Sequence, residues 1–208
     1  SPLWASKNFD NEQEKNEINK FIKRNKHIIA VFPSAFINGQ NDMKNHISFL
    51  NFLNKLLTLR NDIFLIYKPK HSSNLSEDYP NFVSLLEKLK KNDMFKIVTD
   101  LTSRNIITAS DLVISMPFSS TTLEAISSGR RSFFIDINNS FPNSAYKNID
   151  KLVATTEKDA LDFVEYWLTI SKEKFDYYLN NEISKEIPLN FNNEAVDKIK
   201  SKIISKIK

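Results

Sequence analysis

Cysteine is absent from the 208 residues. A disulfide framework, a thiolate nucleophile and a cysteine zinc site are therefore excluded, which suits the cytoplasm. Glycine occurs twice, at Gly39 and Gly129. A dinucleotide fingerprint and a P-loop both need several glycines for tight turns and close approach of backbone to phosphate. A dehydrogenase or a P-loop kinase is thus a poor fit. No apolar run reaches the roughly 20 residues that span a bilayer. A secretory leader is not apparent, since the N-terminus is polar and charged from Lys7 onward. His27 and His46 are isolated and lack metal-ligand spacing, so no metal and no other cofactor is expected.

Charge of one sign is also lacking. The formal net charge is +4, with 29 basic residues dispersed among 25 acidic ones. Without an arginine cluster or an aromatic–basic pattern, nucleic acid is not an expected partner. A modest positive balance suits an anionic sugar nucleotide or an anionic membrane surface. The 41% of hydrophobic residues is enough for a full core.

That core is laid out as strands alternating with helices. Strands are predicted over 27–32, 62–67, 95–98, 111–114 and 131–137, with a brief one over 151–154. Each is a near-continuous apolar run, as a sheet buried on both faces requires. Helices are predicted over 12–26, 45–60, 82–91, 103–109, 157–168, 172–179 and 193–208, with the loop 34–44 between the first strand and its helix. The pattern implies right-handed crossovers and a doubly wound, mostly parallel α/β sheet of about six strands. Three segments are expected: a linker and N-terminal helix over 1–26, a Rossmann-like domain over 27–170, and C-terminal helices over 171–208 packed on that domain. The last helix has a Val196, Ile199, Ile203, Ile207 stripe among lysines. Packing on the domain is its ordinary role, and peripheral contact with a membrane is the alternative.

One block concentrates chemistry. After the apolar strand 111–114 comes Ser115-Met-Pro-Phe-Ser-Ser-Thr-Thr-Leu-Glu124, and the helix it opens ends near Gly129. Four hydroxyl residues, Ser119 to Thr122, stand at the helix start. Free N–H groups and the helix dipole make such an end an anion site. A strand emptying into it places the site at the carboxyl edge of the sheet, where open α/β folds bind ligands. Thr121-Thr-Leu-Glu124 also has the form of a capping box, with Thr121 as cap and Glu124 reaching back.

The block resembles a motif of GT-B glycosyltransferases. Retaining members carry Glu-Pro-Phe-Gly, four variable residues, Glu-Ala, three more, then Gly. This chain reads Met116-Pro117-Phe118-Ser119, four residues, Glu124-Ala125, three residues, Gly129. It departs at Met116, where the family's glutamate holds sugar hydroxyls, and at Ser119, where a glycine lets phosphate approach. Met-Pro-Phe-Ser-Ser is also similar to the serine-rich motif of bacterial transferases using CMP-activated acidic sugars of the Kdo and sialic acid type. The resemblance runs over roughly residues 28–168 as an element pattern.

It implies the Rossmann-like, C-terminal half of a GT-B enzyme for cell-surface polysaccharide biosynthesis. The donor is a nucleotide sugar, CMP-linked ahead of UDP-linked, and no metal takes part. In this reading Ser119, Ser120 and Thr121 bind phosphate and Glu124 the ribose. Lys68, in Tyr67-Lys-Pro-Lys-His71, stands where such transferases place the histidine of a His-Pro motif, with Lys70 and His71 beside it. Ser34, after Pro33, lines the nucleotide from the first strand's loop, and the loop 99–104 borders the base. Asp136, at the end of the fifth strand, is a candidate for a sugar hydroxyl. No general base is evident. In inverting members it belongs to the N-terminal acceptor-binding half, which is expected to be missing from this chain. The expected location is cytoplasmic, at the inner face of the membrane if the last helix binds there. Competing readings are a sugar-nucleotide epimerase of the same fold, which would carry a glycine-rich stretch near Ser119, and a degenerate nucleotide- or partner-binding module without turnover.

Overall fold

The structure, a computed structural model, describes residues 27–35, 40–70, 79–117 and 119–187. The predicted segment 1–26, the helix over 193–208, His71 and Phe118 lie outside these described residues.

Six strands form one wholly parallel sheet in the order β3-β2-β1-β4-β5-β6. They are β1 His27–Phe32, β2 Ile63–Tyr67, β3 Phe95–Ile97, β4 Leu112–Ser115, β5 Arg131–Ile135 and β6 Val153–Ala154. The connecting helices are α1 Gln40–Leu59, α2 Pro80–Lys90, α3 Ser103–Ala109, α4 Ser120–Ser127 and α5 Glu157–Thr169, followed by α6 Lys172–Tyr178. A π-helical turn, Leu179–Ile183, leads into a short helix, α7 Ser184–Glu186.

Alternation along the strands divides the core in two. Ile29 and Val31 of β1 join Phe49 and Leu53 of α1, Phe82 of α2 and Phe163 of α5 on one face. Ile28, Ala30 and Phe32 join Ile106 and Ile107 of α3 and Ala125 of α4 on the other. Apolar residues on both parities are what made the strands read as continuous runs. Beyond β6 the chain closes over the first face through Trp167, fully buried on α5. Its ring meets Phe175 and Tyr178 of α6 edge-on, at centroid distances of 5.8 and 4.9 Å. Its Nε1–H donates to the Lys151 carbonyl at 3.1 Å, so burial leaves no polar group unpaired.

The expected boundaries move where side chains intervene. β5 stops at Ile135, two residues early, because the Asp136 carboxylate turns the chain. Its oxygens accept from the Ser140 N–H at 2.8 Å and the Phe141 N–H at 3.3 Å. α1 begins at Gln40, five residues early, because its first turn is polar and shows no apolar periodicity. At the opposite end of the sheet, Asp111 precedes β4 rather than lying in it. Its carboxylate accepts the Ile28 N–H at 2.8 Å, and its own N–H bonds the Ile28 carbonyl at 2.9 Å.

α4 ends in a Schellman motif. Gly129 has φ +69°, its N–H bonds the Ile126 carbonyl at 2.9 Å, and the Arg130 N–H bonds the Ala125 carbonyl at 2.8 Å. A Cβ at Gly129 would meet nothing within 4 Å, so the glycine is required by backbone conformation and not by space. Gly129→Ala is expected to cost about 1–2 kcal/mol, the left-handed penalty alone. Urea unfolding measures it, and an unchanged midpoint would contradict the assignment.

Candidate functional site at the switch point

The sheet order reverses between β1 and β4. The chain leaves β1 toward α1 on one face and leaves β4 toward α4 on the other. The loops therefore part and leave a crevice at the carboxyl edge, the position where doubly wound sheets bind ligands. β1 and β4 are in register up to Phe32 and Ser115, and the Met116 N–H extends the ladder to the Phe32 carbonyl at 3.0 Å. Ser34 and Ser119 thus both follow strands that end level at the carboxyl edge, and Ser34 Oγ lies 3.9 Å from Met116 Sδ of the second loop.

α4 begins one residue after Ser119, which is its cap. Ser119 has extended backbone, and its Oγ accepts from the Thr121 N–H at 3.4 Å and bonds Thr121 Oγ1 at 2.7 Å. This overturns the expected capping box. Thr121 lies inside the first turn, and Glu124 stands five residues past the cap, too far along the helix to reach back to it. The hydroxyl row also splits. Ser119, Ser120 and Thr121 lie at the exposed or half-exposed end of the helix. Thr122 is fully buried, its Oγ1 paired with Ser115 Oγ, and its carbonyl accepts from Ser132 Oγ at 3.1 Å. Helical rotation of about 100° per residue turns the fourth hydroxyl inward, where it ties α4 to the sheet.

Glu124 is half-buried one turn further along. Burial pushes its carboxyl above the usual carboxylate range, and the Arg104 guanidinium of α3 opposes that rise. Lys68 leaves β2 next to β1: its N–H bonds the Val31 carbonyl at 2.9 Å and its Nζ donates to the Thr99 carbonyl at 3.1 Å. It therefore sits one strand from Ser34 and borders the loop after β3. In that loop Thr102 caps α3, its Oγ1 accepting the Asn105 N–H at 3.3 Å. Lys70 is exposed beyond β2.

Two expectations change character. Met116 lines a small hollow at the carboxyl edge, together with Pro117, Asp136 and Asn45 and Ser48 of α1, and offers it a thioether where a glutamate would offer a carboxylate. It is 2% exposed, and its Sδ lies 3.9 Å from Ser34 Oγ. Asp136 has a structural task as well: besides its two backbone N–H donors, its carboxylate pairs with Lys147 Nζ at 2.9 Å. One residue at the site was missed in the sequence. His46 of α1 is 1% exposed, with Nε2 3.3 Å from Ser34 Oγ. An isolated histidine at a helix start carries no signal of a partner twelve residues earlier.

Among the described residues no group of three or more His, Asp or Glu is placed to hold a metal ion, and no helix is long and apolar enough to cross a membrane.

Residues 2–164 match the family described as polysaccharide biosynthesis PFTS motif protein. Pro117-Phe118-Ser119-Ser120 differs from the motif of that name by one serine in place of threonine. No curated protein matches the chain. Solved structures match its fold. A structure described as trehalose-6-phosphate from E. coli bound with UDP-2-fluoro glucose aligns with TM-score 0.60 at 11% identity over 97% of this chain and 49% of its own. The wall teichoic acid polymerase TagF aligns with TM-score 0.54 at 14% identity over 96% and 47%. The UDP-GlcNAc 2-epimerase of Methanocaldococcus jannaschii, in complex with UDP-GlcNAc and UDP, aligns with TM-score 0.57 at 13% identity over 78% and 43%. The chain spans less than half the length of these relatives. Its fold is that of one Rossmann-like half of the GT-B architecture.

Proposed function

This chain belongs to the polysaccharide biosynthesis PFTS motif protein family, and from that premise we propose that its switch-point crevice holds the donor of a glycosyltransferase, a nucleotide-activated sugar. The observation that carries the reading is the three-hydroxyl N-terminus of α4 standing beside the Ser34 loop where the sheet order reverses. Ser119, Ser120 and Thr121 are assigned to phosphate, together with the first-turn N–H groups of α4. Ser34 contributes from the opposite lip, and Lys68 supplies positive charge from β2. His71, outside the described residues, is assigned to the phosphate as well. Glu124 is assigned to the ribose, and the loop that carries Thr102 to the base.

The chemistry expected of this half is stabilisation of the departing nucleotide. As the sugar–oxygen bond breaks, negative charge gathers on phosphate, and preorganised donors at a helix start lower the energy of that charge without reorganising. The general base and the acceptor site are assigned to a second half, in line with the chain's share of its structural relatives.

A CMP-linked donor is favoured over a UDP-linked one. One helix start bearing three hydroxyls saturates a single phosphate. A diphosphate needs further backbone approach, for which a chain with two glycines, one of them at the far end of α4, is poorly supplied. A thermal-shift panel of free CMP, UDP, CDP and GDP tests both levels. At about 100 times Kd a nucleotide stabilises by roughly 2.7 kcal/mol, or about 5–10 °C for a chain of this size. Largest protection by CMP is the expected result. Larger protection by UDP would make the donor a UDP-sugar. Protection by none would favour a module without turnover.

A further inference from the structure

We propose that His46 is a positioning residue that turns the Ser34 hydroxyl into a donor aimed at the crevice; this rests on the nucleotide-binding reading of that crevice. Among the described residues, Ser34 Oγ lies 3.3 Å from His46 Nε2 and 3.9 Å from Met116 Sδ. A thioether sulfur has no proton and only accepts, and weakly. In the proposed arrangement the serine proton is directed at sulfur, so the lone pair of Oγ faces the imidazole and Nε2 carries a hydrogen and donates it; in the opposite tautomer Oγ–H would donate to Nε2.

The arrangement is chemically specific. A phosphate oxygen is an acceptor and needs the serine as donor. A hydroxyl whose proton rests on a weak acceptor gives it up to phosphate at little cost, while the imidazole N–H keeps the oxygen from rotating. His46 is held for this task. It is buried on α1, and its ring meets Phe82 of α2 edge-on at a centroid distance of 6.1 Å. Met116 gains a role here too: a glutamate in its place would accept the serine proton strongly and compete with an anionic ligand.

The test has two readouts on the intact chain. Nitrogen-15 shifts of the imidazoles, assigned with the help of a His46→Phe variant, report whether Nε2 of His46 carries hydrogen in the ligand-free protein. A protonated Nε2 whose signal moves in Ser34→Ala is expected; a bare Nε2 that accepts from Ser34 would overturn the proposal. Calorimetry with the panel's tightest nucleotide then compares variants. Ser34→Ala is expected to weaken binding about tenfold and His46→Phe about three- to tenfold, with the double variant no weaker than Ser34→Ala alone. His46→Gln places an amide nitrogen where Nε2 was and should restore affinity to within about twofold. Wild-type affinity in His46→Phe, or failure of Gln to restore it in a folded protein, overturns the role. If Nε2 donates to Ser34 yet the wild type binds none of the nucleotides, the crevice reading itself falls, and the donor role with it.

Discussion

Nucleotide affinity is expected to fall by about a hundredfold or more when Ser119 and Ser120 are both replaced by alanine. Hydrogen bonds to a charged group are worth roughly 1.5–3 kcal/mol each, and two are removed. The two positions differ in what else they do. Ser119 is the cap of α4, so its loss also costs roughly 1 kcal/mol of stability. Ser120 is exposed in the first helical position and has no capping task. Ser120→Ala alone should therefore lose about tenfold in affinity while melting with the wild type. Ser119→Asn should keep the cap and still bind more weakly, because the amide does not place a hydroxyl at the phosphate. Calorimetry beside thermal melting separates the effects. If the double variant binds like the wild type, α4 is not the phosphate site.

Asp136→Ala is expected to cost about 3–5 kcal/mol, the largest loss of stability among these variants. The side chain is 2% exposed, and three donors converge on it: Ser140 N–H, Phe141 N–H and the Lys147 ammonium, itself 15% exposed. Removing the carboxylate leaves that ammonium without its counter-charge, with the neutral Asn139 Oδ1 still accepting from it, and the turn after β5 without its acceptor, the situation in which breaking a buried pair is most damaging. For a chain of 208 residues this is roughly 6–20 °C in melting temperature. Asp136→Asn keeps one acceptor oxygen and should fall between. A loss below about 1 kcal/mol for the alanine variant would mean that the pair contributes nothing net.

Asp136 also shows where reading a sequence stops. Its place at the end of a strand was legible, because β5 is an apolar run with a polar stop. Its partner was not, since Lys147 is one of many lysines and only the turn brings it within 2.9 Å. The same division holds throughout. The six strands and their order of helices were legible because both faces of the sheet are covered, so the strands are apolar at most positions on both parities. The anion site was legible because strand, hydroxyls and helix are contiguous. The buried turn of Thr122 depended on where the helix begins, and the cap lay two residues from the expected one. His46 depended on a contact between β1's loop and α1, and Met116 on a side chain turned inward. Neither orientation has a signature in spacing.

The Asp111 clamp at the opposite end of the sheet has a bearing on the crevice. By fixing the Ile28 amide at 2.8 Å, it sets the common level from which β1 and β4 are counted. Four residue pairs later both strands run out together, at Phe32 and Ser115. A slip of one residue there would displace one lip against the other by about 3.3 Å, more than the length of a hydrogen bond. Ser34 and Ser119 would then lose the relative level that the proposed shared phosphate contact requires. The datum that both lips share thus lies a strand's length away from them, at Ile28 and Asp111.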